Sequence, residues 1–173
     1  GYTPKNGWGN SYRGAVTPRT GIRDSMNVVA VKVMVETGID LCYDYLLNFG
    51  FTTLENDNHA ATALGGLTKG VTQVELTAAY GTLANQGQYI RPMFYDKVLD
   101  HDGNVLLENT KETRQVVKPS TGYIVTQLMT SVVKEGTGTA ANFKQSNMPL
   151  AGKTGTTTDS KDLTFVGYTP YYV

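Results

Sequence analysis

A chain of 173 residues suffices for one domain of ordinary size with a buried core. Fifteen basic residues balance fifteen acidic ones, which argues against nucleic acid as a partner, since such modules carry a basic surplus. Hydrophobic residues at 40% against 17% charged exclude wholesale disorder, and no apolar run approaches the ~18 residues of a transmembrane helix.

Residues 1–17 are rich in Gly, Asn and Tyr and read as loop. Thr17-Pro18 predicts a helix start, with Thr as cap and Pro at the first helical position, and a short helix toward Asp24. Val28, Val29, Val31, Val33 and Val35 are β-branched, yet the length and the Thr37-Gly38 stop predict a buried helix. A further helix is expected over 40–49, ending at Gly50. Its Cys42 reads as an apolar core thiol; as the one cysteine it excludes an internal disulfide. His59 and His101 lie far apart, so a structural zinc site is not expected.

Thr72-Gln73-Val74-Glu75 is a capping box. Leu76, Ala79, Tyr80 and Leu83 follow at helical spacing, and Asn85-Gln86-Gly87 closes that helix. Asp102-Gly103 between the apolar runs 97–99 and 105–107 predicts a hairpin, and 114–117 a further strand piece. Ser120 is expected to cap a helix through about Lys134 with Tyr123, Ile124, Leu128 and Val132 inward, followed by a Gly136-Thr137-Gly138-Thr139 loop. Residues 149–156 and 163–168 read as two strands joined by a polar turn, 157–162. Helices first and strands last give an α+β class rather than βαβ alternation.

Two tripeptides could carry chemistry. Lys153-Thr154-Gly155 lies where an apolar strand enters a run of threonines at 154, 156, 157 and 158. Lys supplies positive charge, the hydroxyls can bind a carboxylate, and Gly lets a ligand approach the backbone. The alternative is an ordinary strand end with a Gly kink. Ser25-Met26-Asn27 offers a hydroxyl and an amide before the valine-rich helix; alternatively Ser25 is only its N-cap.

In this order, Ser-x-Asn and then Lys-Thr-Gly form part of the motif set of penicillin-recognising serine acyl enzymes. Tyr2-Thr3-Pro4-Lys5-Asn6, Gly14-Ala15-Val16-Thr17-Pro18-Arg19, Ala63-Leu64-Gly65-Gly66, the stretch from Gly70 to Tyr80, Asn85-Gln86-Gly87, Gly136 to Ala141, and Gly152 to Pro170 match in turn. Nearly end to end, the chain resembles the transpeptidase domain of class A penicillin-binding proteins.

That resemblance implies the penicillin-binding/serine β-lactamase-like fold, a helical lobe with a five-stranded antiparallel sheet. It implies a D,D-transpeptidase that cross-links peptidoglycan stem peptides ending in D-Ala-D-Ala and is acylated by β-lactams, without a cofactor. Ser25 would relay a proton. Asn27 would hold the substrate amide and the lysine of the family's Ser-x-x-Lys. Lys153 would supply positive potential. The Thr154 and Thr156 hydroxyls, with Gly155 between them, would bind the terminal carboxylate, and the Thr156 N–H would serve half the oxyanion hole.

The family's Ser-x-x-Lys stands upstream of Ser-x-Asn, and residues 1–24 contain none. Ser131-Val132-Val133-Lys134 fits the pattern, but it follows Ser-x-Asn and falls in a helix end, so it is rejected as nucleophile. The expectation is therefore a partial transpeptidase domain over 1–173, lacking the nucleophile segment and a last sheet strand. It would hold two of the five strands, with the 93–107 hairpin outside that sheet, and would not acylate alone. An N-terminal glycosyltransferase domain and membrane anchor, and an extracytoplasmic location at the cell wall, are implied in the same way. A carboxypeptidase, β-lactamase or β-lactam sensor, and a non-catalytic binding module of this fold, are the alternatives.

Overall fold

The computed structural model describes residues 3–9, 11–143, 147–157 and 160–173. Tyr2 of the first matching block, Thr158 of the threonine run and Asp159 of the last turn lie outside them.

Helix α1 spans Pro18–Arg23, and the Thr17 hydroxyl accepts the Thr20 amide at 3.2 Å, as the sequence predicts. Helix α2, Asn27–Thr37, forms but is one-sided rather than buried: Val31 and Met34, three residues apart, are buried, while Val33 and Val35 are exposed. Burial of that face outweighs the strand preference of its valines. Gly38, at φ 106, ends α2 and begins α3, Ile39–Asn48. Cys42 on α3 is half-buried rather than a core residue, because α3 buries no residue fully; its thiol lies 4.0 Å from the Met34 carbonyl.

The connection to α4 is ordered around a buried carboxylate. Asp57 accepts the Thr68 amide and hydroxyl at 2.7 and 2.8 Å and the Glu55 amide at 3.0 Å. A 3₁₀ turn, Ala60–Leu64, follows. Both bonds of the predicted capping box are present at the start of α4, Gln73–Ala84. The same Glu75 carboxylate also takes the Thr52 amide and hydroxyl, tying the loop to the helix.

Strand β1, Gln88–Ile90, is a correction to the sequence reading, which ends α4 at Gly87 and places no strand there. Its strand state comes from pairing with β4, Thr113–Gln115, a partner distant in sequence. Gly87 serves this join: at φ 81, a Cβ there would stand 2.1 Å from the Val117 carbonyl oxygen. The predicted hairpin forms from β2, Lys97–Leu99, and β3, Val105–Glu108, as a separate two-stranded sheet.

Helix α5 spans Pro119–Glu135. Ser120 does not cap it: Pro119 takes the first helical position and moves the cap to Lys118. The inward face differs in part. Val132 is buried as expected, but Tyr123 and Ile124 are 65% and 58% exposed, and Gly122, Met129 and Val133 complete the buried stripe. Leu128 is half-buried. The reason is that α5 packs against both α1 and β5, which selects a stripe one position away from the apolar pair 123–124. A second 3₁₀ turn, Thr139–Ala141, leads toward the last strands.

Strands β5, Ala151–Thr156, and β6, Leu163–Tyr168, pair antiparallel from Ala151↔Tyr168 to Thr156↔Leu163. Met129, Ala151 and Tyr168 form the core, with Ile22, Tyr80, Leu83 and Val125 packed around them. Tyr168 donates to or accepts from Thr126 at 2.8 Å, and burial pushes its phenol up to about 12. Helices α1, α4 and α5 thus carry the α1–α2 turn to the face of β5–β6.

Candidate active site

Ser25 and Met26 form the turn between α1 and α2. The Ser25 and Met26 amides donate to the Ile22 and Gly21 carbonyls at 3.2 and 2.8 Å, and Ser25 takes a left-handed φ of 54. That conformation is uncommon outside glycine and is held here by the bonds on either side. Asp24, just before it, binds Arg23 and Arg13; the Arg23 and Arg13 guanidiniums hold its carboxyl at about 2.

Lys153 lies on β5 beside Ala151, which faces the core. Its Nζ donates to Ser25 Oγ at 2.8 Å, across 128 residues of sequence, and to the Thr154 carbonyl at 2.9 Å. Burial pushes the Lys153 ammonium below the ordinary lysine range. Among the described residues no carboxylate pairs with it. A partly dry cation bound to a hydroxyl is an arrangement through which a proton can move.

Asn27 is the first residue of α2, and its Nδ2 donates to the Lys5 carbonyl at 2.9 Å. The Thr154 and Thr137 hydroxyls share a hydrogen bond at 2.7 Å, and either can donate. Gly155 faces Thr164, whose Oγ1 would lie 2.5 Å from a Cβ at that position. The Thr157 amide donates to the Asp162 carbonyl at 3.1 Å in the same register as β5–β6. Antiparallel alternation therefore aims the Thr156 and Thr154 amides away from β6. Among the described residues no other strand pairs along that edge.

These groups meet at one cleft of about 580 Å³, where Ser25, Asn27, Thr154 and Thr156 are joined by Thr137, Trp8 and Gly7. A neighbouring cavity of about 530 Å³ shares Ser25, Asn27, Thr154 and Thr156, adds Lys153 and Gly155, and is otherwise largely apolar, with Ile22, Met26, Leu76, Tyr80 and Val166. All six residues singled out from the sequence thus line one region. Thr137 comes from the Gly-Thr-Gly-Thr run already noted in the sequence, whereas nothing in the sequence links Trp8 to strand β5. Ser131 lies elsewhere: it is buried and its hydroxyl is bound to the Leu128 carbonyl at 2.5 Å, while Lys134 is exposed. Among the described residues no group of His, Cys, Asp or Glu could hold a metal, and no helix is long and apolar enough to cross a membrane.

Residues 1–172 match the family described as the penicillin binding protein transpeptidase domain. Penicillin-binding protein 1A of Clostridium novyi is 41% identical over 174 residues, which is 99% of this chain and 20% of that protein. The chain spans about a fifth of the length of the curated relatives it matches. In fold it is similar to penicillin-binding protein 1A of Haemophilus influenzae, with a TM-score of 0.83 at 22% identity over 96% of this chain and 30% of that one. It is also similar to penicillin-binding protein A of Mycobacterium tuberculosis, solved as an imipenem acyl-enzyme complex, with a TM-score of 0.75 at 20% identity over 90% and 39%. The chain therefore belongs to the penicillin-binding protein transpeptidase family, whose α+β fold it shares.

Proposed function

We propose that residues 1–173 supply the substrate-binding side of a serine D,D-transpeptidase site. It cross-links peptidoglycan stem peptides ending in D-Ala-D-Ala through an acyl-enzyme, and β-lactams acylate the same serine. The observation that carries this reading is the Lys153–Ser25 hydrogen bond, which joins the Ser-x-Asn turn to the Lys-Thr-Gly strand. The acyl-enzyme nature of the Mycobacterium tuberculosis imipenem complex supports the β-lactam part.

The roles are those the family resemblance implies, and the shared position of these residues supports them. Ser25 relays a proton between the nucleophile and the leaving or attacking amine, with Lys153 shifting the potential along that path. The Thr154 and Thr156 hydroxyls bind the terminal carboxylate, and Gly155 leaves the edge of β5 open to an extended peptide. The outward Thr156 amide is one oxyanion donor, a contact often worth ~3 kcal/mol in the transition state. Asn27 holds the substrate amide. The nucleophile comes from a Ser-x-x-Lys segment outside residues 1–173, and the apolar cavity beside Ser25 and Lys153 suits its packing.

The test is made in a polypeptide that joins a Ser-x-x-Lys segment to this chain. Ser25→Ala and Lys153→Ala each lower the rate of acylation by a fluorescent penicillin by roughly 10²-fold or more. Rates within about twofold of the parent would remove both residues from the chemistry.

A further inference from the structure

Residues 3–9 form a loop that is exposed at Lys5, Gly7, Trp8 and Gly9, yet Asn6 within it is only 4% exposed. Its backbone carbonyl accepts the Gly9 amide at 2.9 Å, closing a tight turn. Its side-chain oxygen accepts the Val28 amide at 3.2 Å, 22 residues on. The preceding carbonyl, that of Lys5, accepts Asn27 Nδ2.

Helix α2 needs such an outside partner. Its N-cap position holds Met26, which makes no side-chain cap bond, so the first-turn amides of α2 lack a local acceptor. Because the Val28 N–H can only donate, the amide oxygen of Asn6 must be the atom that faces it. Asn6 Nδ2 is then buried, with no hydrogen-bond partner among the described residues. What its burial secures is the placement of the α2 N-terminus, which begins at Asn27 and follows the strained Ser25 directly.

We infer that Asn6 is a positioning residue for acyl transfer: it clamps the start of α2 so that Ser25 stays on Lys153 and Asn27 keeps its place at the cleft. The inference rests on the transpeptidase reading above. Asn6 touches neither Ser25 nor Lys153 through a hydrogen bond of its own and acts through Val28 and, by way of Lys5, through Asn27. Asn6→Ala removes the acceptor that holds the Val28 amide, so the geometry of the turn loosens. Asn6→Asp keeps an acceptor oxygen for Val28 at a helix N-terminus, where negative charge is favoured.

Two measurements decide it. In the polypeptide that carries a Ser-x-x-Lys segment, Asn6→Ala lowers the acylation rate at saturating fluorescent penicillin roughly tenfold to a hundredfold with little change in apparent affinity, and Asn6→Asp restores most of it. In residues 1–173, Asn6→Ala speeds hydrogen exchange at the Val28 amide roughly tenfold or more, and Asn6→Asp does not. Parental acylation in Asn6→Ala, or unchanged Val28 exchange, overturns the inference. Failure of the unsubstituted polypeptide to be acylated would instead sink the transpeptidase reading, and the Val28 comparison would still decide the clamp.

Discussion

Gly136→Ala is predicted to damage both the fold and the site. Gly136 ends α5, and an added Cβ would stand 2.4 Å from the Arg23 carbonyl oxygen and 2.9 Å from Val132 Cα. Both are backbone atoms, so no side chain can swing aside. Ordinary contact begins at 3.4 Å, which asks the Arg23 carbonyl to retreat by about 1 Å (3.4 less 2.4). That carbonyl accepts the Thr137 amide at 3.2 Å, and Ser25 follows two residues later. The Lys153–Ser25 bond, at 2.8 Å, has about 0.7 Å of slack before it passes 3.5 Å. Overpacking of this kind costs about 2 kcal/mol, which for a chain of this length lowers Tm by roughly 4–8 °C. Gly7→Ala is the control, since nothing lies within 4 Å of its added Cβ, and it should stay within about 0.5 kcal/mol. Thermal and urea unfolding of residues 1–173 read both. A Gly136→Ala midpoint equal to the parent's would refute the packing argument and, with it, the route from α5 to Ser25.

Other perturbations follow the same logic. Thr72→Ala breaks the capping box and should cost about 1 kcal/mol in urea unfolding, with the loss confined to stability. Asp24 is held at about 2 in the folded state by the Arg23 and Arg13 guanidiniums, against about 3.9 unfolded. Its contribution is whole above about pH 4 and is lost as pH falls toward 2, because the unfolded chain takes up the proton first. Asp57, Glu75 and Asp100 are shifted the same way. For Asp57 and Glu75 burial acts in the opposite sense and is outweighed by the Thr68 and Glu55 donors and by the Thr52 and Thr72 donors; for Asp100 the Asn104 side chain and amide lead. Urea midpoints should therefore fall steeply from pH 5 to pH 3 (a range set by ordinary carboxylates at about 4), and Asp24→Asn should flatten part of that slope. Lys153→Met removes a partly buried cation and should raise stability by about 0.5–1 kcal/mol while acylation collapses; a joint fall of both would mean that Lys153 is structural.

Local chemistry made much of this fold legible. Thr17-Pro18, Thr72 to Glu75, Thr37-Gly38 and Asp102-Gly103 each act within a few residues, and each marks an element end in the structure. What eluded the sequence depends on distant partners. Strand β1 exists because β4 pairs with it, and the buried stripe of α5 is chosen by α1 and β5 rather than by the apolar pair Tyr123 and Ile124. At the site, the residue types of Ser25 and Lys153 were readable, but the 2.8 Å bond between them is a tertiary fact. Asn6 was legible only as the end of the Tyr2-to-Asn6 block, not as a contact, because its partner lies in a helix whose own cap position is a methionine.

Covalent labelling with a fluorescent penicillin, read after denaturing electrophoresis, tests the central claim most directly. Residues 1–173 alone should give no labelled band, and the same residues joined to a Ser-x-x-Lys segment should give one that unlabelled β-lactam competes away. A labelled band on the isolated chain, or none on the joined polypeptide, would contradict the account.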